Sequence, residues 1–315
     1  MTRWKRYTPV IPLVVGIIAA SPLVLTLEAQ DGAAPQAVRV DIAGNWQVVA
    51  HEDAPDFARE PGSEFADFTG IPLSAAGRQK AQTWAGDLLS QPERQTEAHP
   101  VHYIGNNRGP QRILRILDPA TQALVAYAMS GSYRRADRVV WLDGRPHPSK
   151  ISEHTRDGFS TGTWDNNGAL VVTTTHMKTG SWAIRRNGVA ISPYAKMTEY
   201  FSRSGDLMTV LIYIEDPVYL EEPMIRSYTL RANPVVTLDA ASDEPAEAGE
   251  EVLNKETGWV PHWPLGTKHT DFAEKFGLPY EATIGGKETL YPEYLKKLQQ
   301  MMKSLPRPTT TSAAR

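Results

Sequence analysis

The sequence predicts a mainly β protein, an antiparallel meander that is curved or closed into a barrel and carries a few peripheral helices. Short segments rich in β-branched and aromatic residues recur from about residue 112 onwards. Turn-forming pairs such as Asp-Gly, Asn-Gly and Asp-Pro separate these segments. The segments also follow one another too closely for the crossover helices that a parallel α/β sheet needs.

The predicted strands begin with 46–50 and continue through 112–117, 123–129, 138–142, 159–164, 169–175, 196–202, 207–215 and 225–230. We expect residues 112–230 to form one continuous antiparallel sheet. The turns at Asp143-Gly144, Asn167-Gly168 and Gly205-Asp206 should each join adjacent strands.

Helical periodicity is rare in this chain. The segment "LSAAGRQKAQTWAGDLLS" places Ala81, Trp84, Ala85 and Leu88 at helical spacing, and Ser74 is suited to the N-cap. Two further helices are predicted near 270–276 and 291–304.

The N-terminus, "MTRWKRYTPVIPLVVGIIAASPLVLTLEAQD", predicts a transmembrane helix. Basic residues are followed by 21 uncharged residues, 7–27, which as a helix would span about 31 Å, close to a bilayer core of roughly 30 Å. Trp4 and Tyr7 are candidates for the membrane interface. The charge distribution predicts a cytoplasmic N-terminus in a bacterial inner membrane and a periplasmic main domain. Alternatives are a cleaved export signal, which would leave a secreted or soluble periplasmic protein, and a buried soluble helix.

These features divide the chain into six segments. They are a membrane anchor or signal peptide (1–30), a linker (31–40), a β-rich domain (41–238), an acidic mobile insertion (239–256), a C-terminal extension packing on the β domain (257–304) and a disordered tail (305–315).

Composition excludes several classes of function. The net charge is −3 and no long basic stripe occurs, so nucleic acid is not an expected partner. The chain has no cysteine, which excludes a disulfide framework, a thiolate nucleophile and cysteine-ligated metal sites. The sequence contains no phosphate-binding or dinucleotide-binding motif, and no cofactor is expected.

The segment "VVWLDGRPHPSKISEHTRDGFSTGTW", residues 139–164, has the highest density of residue types used in catalysis. Asp143 is interpreted as a turn former, because Asp-Gly favours positive φ. Ser160 has glycine two positions before and after it, but predicted strands on both sides are the wrong context for a nucleophile elbow.

The remaining candidates in and near this segment are Arg145, His147, His154 and His176, which could line a pocket at a barrel mouth. The three histidines among them could instead form a composite metal site. The alternative is that they belong to a structural crossover. No catalytic, cofactor-binding or metal residue is assigned.

"IAGNWQVV" contains the Gly-x-Trp arrangement of a lipocalin-like first strand, in which Trp46 would plug the closed end of a barrel. The pattern is short, so it gains weight only from the strand meander that follows it.

A set of segments in fixed order gives the chain a wider resemblance. They are "DPATQALVAYAM", "DRVVWLDGRPHP", "HTRDGFSTGTW", "TEYFSRSGDLMTV", "EDPVYLEEPMIRS", "VPHWPLG", "FGLPYEAT" and "GGKETLYPEY". Together they resemble a large family of exported bacterial β-rich proteins of unknown function, over about residues 40–300. The resemblance implies an exported β domain and supplies no catalytic residues. Cysteines common in that family are absent here.

Three functions remain open at this stage. The first is a non-catalytic accessory or structural subunit of a membrane-protein complex, with photosynthetic and respiratory complexes as plausible hosts. The second is a lipocalin-like periplasmic binder of a small apolar ligand. The third is an enzyme that uses the histidine and arginine cluster.

Overall fold

Nine strands close into a barrel in the computed structural model, which describes residues 38–49, 68, 70–83, 100–102, 110–131, 138–178, 189–235 and 263–304. The strands are β1 (Gly44–Val48), β2 (Gln111–Leu117), β3 (Leu124–Gly131), β4 (Arg138–Trp141), β5 (Phe159–Trp164), β6 (Leu170–Thr175), β7 (Lys196–Ser204), β8 (Leu207–Glu215) and β9 (Met224–Ala232). Each pairs with its neighbour in the sequence, and β1 pairs with β9. The predicted mainly β, closed architecture is confirmed.

Strand direction departs from the prediction at one place in the described residues. Strands β4 and β5 are parallel, with Val140 opposite Ser160. The predicted hairpin at Asp143-Gly144 is therefore wrong. Gly144 does have φ +76°, but the turn opens a crossover over residues 142–158, because parallel strands cannot be joined by a tight hairpin.

The other two predicted turns join antiparallel neighbours. Asn167-Gly168 connects β5 to β6, and Gly205-Asp206 connects β7 to β8. Both predictions are confirmed. In these two cases, local turn chemistry and long-range strand pairing agree.

Alternate side chains along the strands fill the barrel, as period-two geometry requires. On β7 the inward positions are Met197, Glu199 and Phe201, and on β8 they include Val210 and Ile212. Apolar inward residues from all strands form one continuous buried cluster with Trp46. A carboxylate at position 199 is the exception within an otherwise apolar row.

One end of the barrel, here called the closed end, is covered by residues 38–43. The Val40 amide donates to the Gly168 carbonyl at 2.8 Å, and Trp164 Nε1 donates to the Val40 carbonyl at 3.0 Å. Arg203 Nη1, beside the β7–β8 turn, donates to the Asp41 carbonyl at 2.9 Å. The chain therefore enters the barrel at the end that carries the β5–β6 and β7–β8 turns.

Short helices cover the opposite end, here called the capped end, where β8 leads into β9. They are α1 (Ala75–Ala81), α2 (Asp271–Phe276), α3 (Tyr280–Thr283), a 3-10 turn (Lys287–Leu290) and α4 (Pro292–Ser304).

Long-range hydrogen bonds join these elements to the segment before α1, and this segment to the β8–β9 connection. The Phe68 amide donates to Thr283, the Gly70 amide to Thr289 Oγ1 and the Ser74 amide to Tyr219. Ser74 Oγ accepts from the Gly77 amide at 3.0 Å, which confirms the predicted N-cap.

Several predictions fall outside the described residues. They concern the N-terminal helix with Trp4 and Tyr7, most of the linker, the acidic insertion 239–256 and the tail 305–315. The helix predicted after Ser74 is observed as α1 and ends at Ala81, and its predicted part from Trp84 onwards is also outside the described residues. Within the described ranges, no helix has the length and apolar character needed to cross a bilayer.

Candidate functional site

Arg145 does not join the histidines with which it was grouped. Its Nη2 donates to Asp143 Oδ2 at 2.5 Å, and its guanidinium lies 3.4 Å from the ring centroid of Trp141. Both charged side chains are exposed. Arg145 therefore braces the beginning of the crossover against strand β4, in a cation–π contact on the barrel surface.

His147 lies against the outer face of strands β5 and β6. Its Nδ1 is 2.7 Å from Thr175 Oγ1, and its Nε2 is 2.8 Å from Thr161 Oγ1. The edge of its ring contacts Phe159, with centroids 5.2 Å apart. Burial lowers the pKa of His147 below its usual value, and a positive charge on nearby His176 would lower it further.

His176 follows strand β6 and is buried, with a φ of +56° that is uncommon for a residue other than glycine. Its Nδ1 is 2.8 Å from Thr175 Oγ1, and its Nε2 is 2.8 Å from the Ser149 carbonyl. The His154 ring lies 5.1 Å from it, centroid to centroid, with Nδ1 at 3.1 Å from the Met177 carbonyl. The structure thus brings the three histidines together and separates them from Arg145.

The proton positions along the chain of hydrogen bonds through His176, Thr175 and His147 follow from the Ser149 carbonyl at its end. Because the Ser149 oxygen only accepts, His176 Nε2 carries a hydrogen, and the neutral ring then accepts from Thr175 through Nδ1. Thr175 in turn accepts from His147 Nδ1–H, and His147 Nε2 accepts from Thr161. The chain is complete with both rings neutral, so these ring nitrogens are engaged in structural hydrogen bonds.

Metal binding was one of the interpretations of these histidines. Across the described ranges, no three histidine, aspartate or glutamate side chains are arranged to hold a metal ion. The lone pairs of His147 and His176 are directed at threonine hydroxyls. The geometry fits a network that pins the crossover onto the barrel.

A second polar cluster, which the sequence did not indicate, lies inside the barrel. Arg138 Nη1 and Nη2 donate to Glu199 Oε2 and Oε1 at 2.6 and 2.9 Å. The two side chains are 1% and 0% exposed. They extend from β4 and β7, which are separated by two strands, so the bidentate pair crosses the interior. The available sequence signal was a glutamate between Met197 and Phe201 at the inward positions of a strand.

Other polar groups accompany this pair. Ser160 Oγ and Thr174 Oγ1 lie 2.8 Å apart on the inner faces of β5 and β6. Arg138 Nε and Gln111 Nε2 are buried N–H donors with no acceptor among the residues that the structure describes. The interior therefore combines a filled apolar core with a few buried polar groups, two of which retain free donors.

Trp46 is fully buried near the closed end. Its Nε1 donates to the Ile42 carbonyl at 2.9 Å, and the Arg203 guanidinium lies 5.0 Å from its ring centroid. The Asp41 carbonyl thus accepts from Arg203, and the neighbouring Ile42 carbonyl accepts from Trp46. These two hydrogen bonds hold both the indole ring and the segment that covers this end of the barrel.

Asp41 connects this end of the barrel to strands β2 and β3. It accepts hydrogen bonds from the Ala43 amide, from the Tyr127 hydroxyl and from Arg115. Burial alone would raise the pKa of Asp41, but Arg115 and the other donors outweigh it and lower the pKa. Burial and the Asp41 charge raise the pKa of Tyr127, so this hydroxyl remains a donor.

Comparison with known proteins identifies no relative. No family model matches the chain, and neither the curated proteins nor the solved structures include a match.

Proposed function

We propose that the protein is a membrane-anchored accessory subunit whose periplasmic barrel binds another subunit through its outer surface, without catalytic activity of its own. The observation that carries this proposal is a patch of apolar side chains on the outside of strands β7, β8 and β9. Anchoring by the N-terminal segment rests on the length and flanking charges of residues 7–27.

Strand register makes the patch continuous. Tyr200 on β7 is directly opposite Leu211 on β8, and Tyr213 on β8 is directly opposite Ile225 on β9. Leu211 and Tyr213 are two residues apart and therefore share the outer face. Tyr200, Leu211 and Ile225 are 38% to 61% exposed. Val171 on β6 extends the row, since it pairs with Tyr200.

A contiguous apolar surface of this kind costs free energy in water, and in soluble domains it commonly marks an interaction site. Tyrosine is also enriched where interfaces are formed. The threonine-bonded histidines and the Arg145–Asp143 pair have structural partners, as the contacts above describe. The outer face is therefore a better candidate for function than the crossover.

A photo-crosslinking amino acid tests the patch directly. It replaces Leu211 or Ile225 in the full chain, with Leu114, a 55% exposed residue on the outer face of β2, as the control. Strand β1 separates Leu114 from the patch. In membranes of the native host, we expect positions 211 and 225 to crosslink to the same protein and position 114 to give no such product. Crosslinking of equal yield at position 114, or none at positions 211 and 225, would contradict the proposal.

Membrane anchoring needs a separate test. Mass spectrometry of the native protein should recover peptides from residues 1–30, and deletion of residues 1–27 should release the protein from the membrane. A mature chain starting near Gln30 or Gln36 would refute the membrane anchor. The crosslinking experiment would still test the protein-binding patch independently.

The lipocalin-like alternative has one supporting observation, the buried N–H donors of Gln111 and Arg138 inside the barrel. A bound ligand would have to present an acceptor oxygen to them. The continuous apolar cluster around Trp46 and Phe201 occupies the interior, which favours a structural core. Native mass spectrometry of the purified protein distinguishes the two functions, since a calyx protein should carry a stoichiometric small molecule.

A further inference from the structure

The C-terminal helix α4 uses only part of its apolar surface to pack against the chain. Tyr294 is buried, and Leu298 and Met301, which follow it at helical spacing, are half-buried. The Tyr294 hydroxyl lies 3.5 Å from the Ala282 carbonyl. This face fixes the orientation of the helix on the capped end of the barrel.

A second apolar stripe runs along the side of α4 that faces solvent. Leu295 and Met302 are seven residues apart in the helix and therefore lie on one face. Tyr291 immediately precedes the helix. These three side chains are 41% to 59% exposed. Leu290, in the preceding 3-10 turn, is more exposed still.

The charges on α4 are predominantly basic, in contrast to the chain as a whole. The helix has three lysines and one glutamate, whereas the whole chain has 33 basic and 36 acidic residues. Lys296 and Lys303 are seven residues apart and exposed, on the flank of the apolar stripe. The sequence after the helix, "LPRPTTTSAAR", adds two arginines and no acid.

We propose that α4 is an interfacial helix that binds the surface of an anionic phospholipid bilayer, with Leu295 and Met302 among the acyl chains and Lys296 and Lys303 at the phosphate groups. An exposed apolar stripe beside lysines on a helix of low overall hydrophobicity is the pattern of helices that lie in a membrane interface. Charge complementarity selects anionic lipid. Pairing with α4 of a second copy is disfavoured, because 13 residues are too few for a coiled-coil seam of three to four heptads.

Helix α4 lies at the capped end of the barrel, opposite the end that residues 38–43 cover. The salt bridges from Lys287 to Glu221 and Glu222 tie the turn before α4 to the β8–β9 connection. Residues 38–43 cover the end with the β7–β8 turn. Helix α4 can therefore contact a bilayer at the capped end whether or not residues 1–30 are retained in the mature chain.

The chain has no cysteine, so single-cysteine variants can report on each face of α4. A fluorophore sensitive to polarity is attached at Met302→Cys, in the exposed stripe, or at Gln300→Cys, on the lysine-bearing side, as the control. Full-length protein is held in phosphatidylcholine nanodiscs, and vesicles containing nitroxide-labelled lipid are added. If residues 1–30 are absent from the mature chain, the same titration is made with the soluble protein.

We expect vesicles containing phosphatidylglycerol to shift and quench the label at position 302, and phosphatidylcholine vesicles to have no such effect. The label at position 300 should change much less. The pair of substitutions Lys296→Gln and Lys303→Gln should weaken binding to these vesicles about 30-fold. Each lysine should account for roughly a fivefold change in affinity at an anionic surface.

Three results would overturn the proposal. They are equal quenching at positions 300 and 302, binding that does not depend on the lysines or on phosphatidylglycerol, and a fluorescence change that depends on protein concentration without vesicles. The last result would indicate self-association of α4. None of them bears on the crosslinking patch of β7–β9 or on retention of residues 1–30.

Discussion

Two arginine–carboxylate pairs of similar geometry occupy opposite environments in this protein. Arg138 and Glu199 form a bidentate pair inside the barrel, with exposures of 1% and 0%. Arg145 and Asp143 form a pair at the start of the crossover, with exposures of 38% and 35%. Burial, and not the prominence of a sequence motif, determines how much a charged pair contributes to the stability of the fold.

The largest expected effect is at the interior pair. Glu199→Gln removes the charge that Arg138 needs and leaves a buried guanidinium uncompensated. We expect the free energy of unfolding to fall by about 3–5 kcal/mol, as measured by urea denaturation. Asp143→Asn is the matched control on the surface, where solvent screens the pair, and its effect should be much smaller. Similar effects of the two substitutions would remove the basis for the comparison.

A double substitution sharpens the same point. Arg138→Met combined with Glu199→Leu removes both buried charges and keeps apolar volume, so it should be considerably more stable than Glu199→Gln alone. A double variant as unstable as the single one would indicate that the pair also determines how the strands close.

The sequence predicted those features that local chemistry determines. Alternation located the strands, and Asn167-Gly168 and Gly205-Asp206 identified true hairpins. Asp143-Gly144 has the same local preference, yet the strand that follows pairs in parallel with β4. Parallel pairing depends on where a crossover returns, which no short segment encodes.

The candidate site was predictable in part, for a related reason. His147, His154 and His176 come together because β5 and β6 are adjacent and the crossover returns beside them. Arg145 was grouped with them by proximity in the sequence, but its nearest opposite charge is two residues away. Glu199 was overlooked because an inward carboxylate is recognisable only after the buried face of β7 is known.

A buried histidine at the far end of the crossover provides the second test. The Val101 amide donates to the Arg156 carbonyl at 2.8 Å, and the adjacent His102 is fully buried. Burial, followed by the charge of Arg156, lowers the pKa of His102 to about 3. The unfolded chain, with a pKa near 6.5, therefore binds this proton more readily.

Protonation of His102 therefore destabilises the folded protein. The stability that depends on a neutral His102 is fully present above about pH 6.5 and is lost as the pH falls towards 3. Between pH 7 and pH 4 we expect the free energy of unfolding to fall by about 3 kcal/mol more in the wild type than in His102→Leu. Urea titrations at several pH values measure this difference. Parallel profiles for the two proteins would contradict it.

Two glycines of the crossover provide the third test. Gly144 and Gly158 both have positive φ, at +76° and +63°. A Cβ at Gly144 meets nothing within 4 Å, whereas a Cβ at Gly158 would lie 2.8 Å from the Thr175 carbonyl oxygen. Gly144→Ala should cost about 1 kcal/mol in backbone strain, and Gly158→Ala about 1–3 kcal/mol more because the sheet backbone must shift. Equal melting temperatures of the two variants would show that Gly158, where the crossover leads into β5, is not packed tightly against β6.

The smallest expected effect concerns the threonine that joins two histidines. Thr175→Val removes the hydroxyl between His147 and His176 and keeps the shape of the side chain. We expect a loss of about 1 kcal/mol in the free energy of unfolding, less than at Glu199, because the hydrogen bonds are uncharged and Thr175 and His147 are only half-buried. Thr173→Val, on the same outer face of β6, is the control and should change stability by no more than about 0.5 kcal/mol.

Nitrogen NMR of the imidazole rings makes this last test specific to the proposed proton order. In the wild type, His176 should carry its hydrogen on Nε2 and His147 on Nδ1, because the Ser149 carbonyl accepts from the first ring and Thr175 accepts from the second. In Thr175→Val, His176 should keep its tautomer, since its bond to Ser149 remains. His147 loses the acceptor for Nδ1–H and should shift towards the tautomer that donates to Thr161 through Nε2. An unchanged His147 tautomer would show that Thr175 does not order the protons of the cluster.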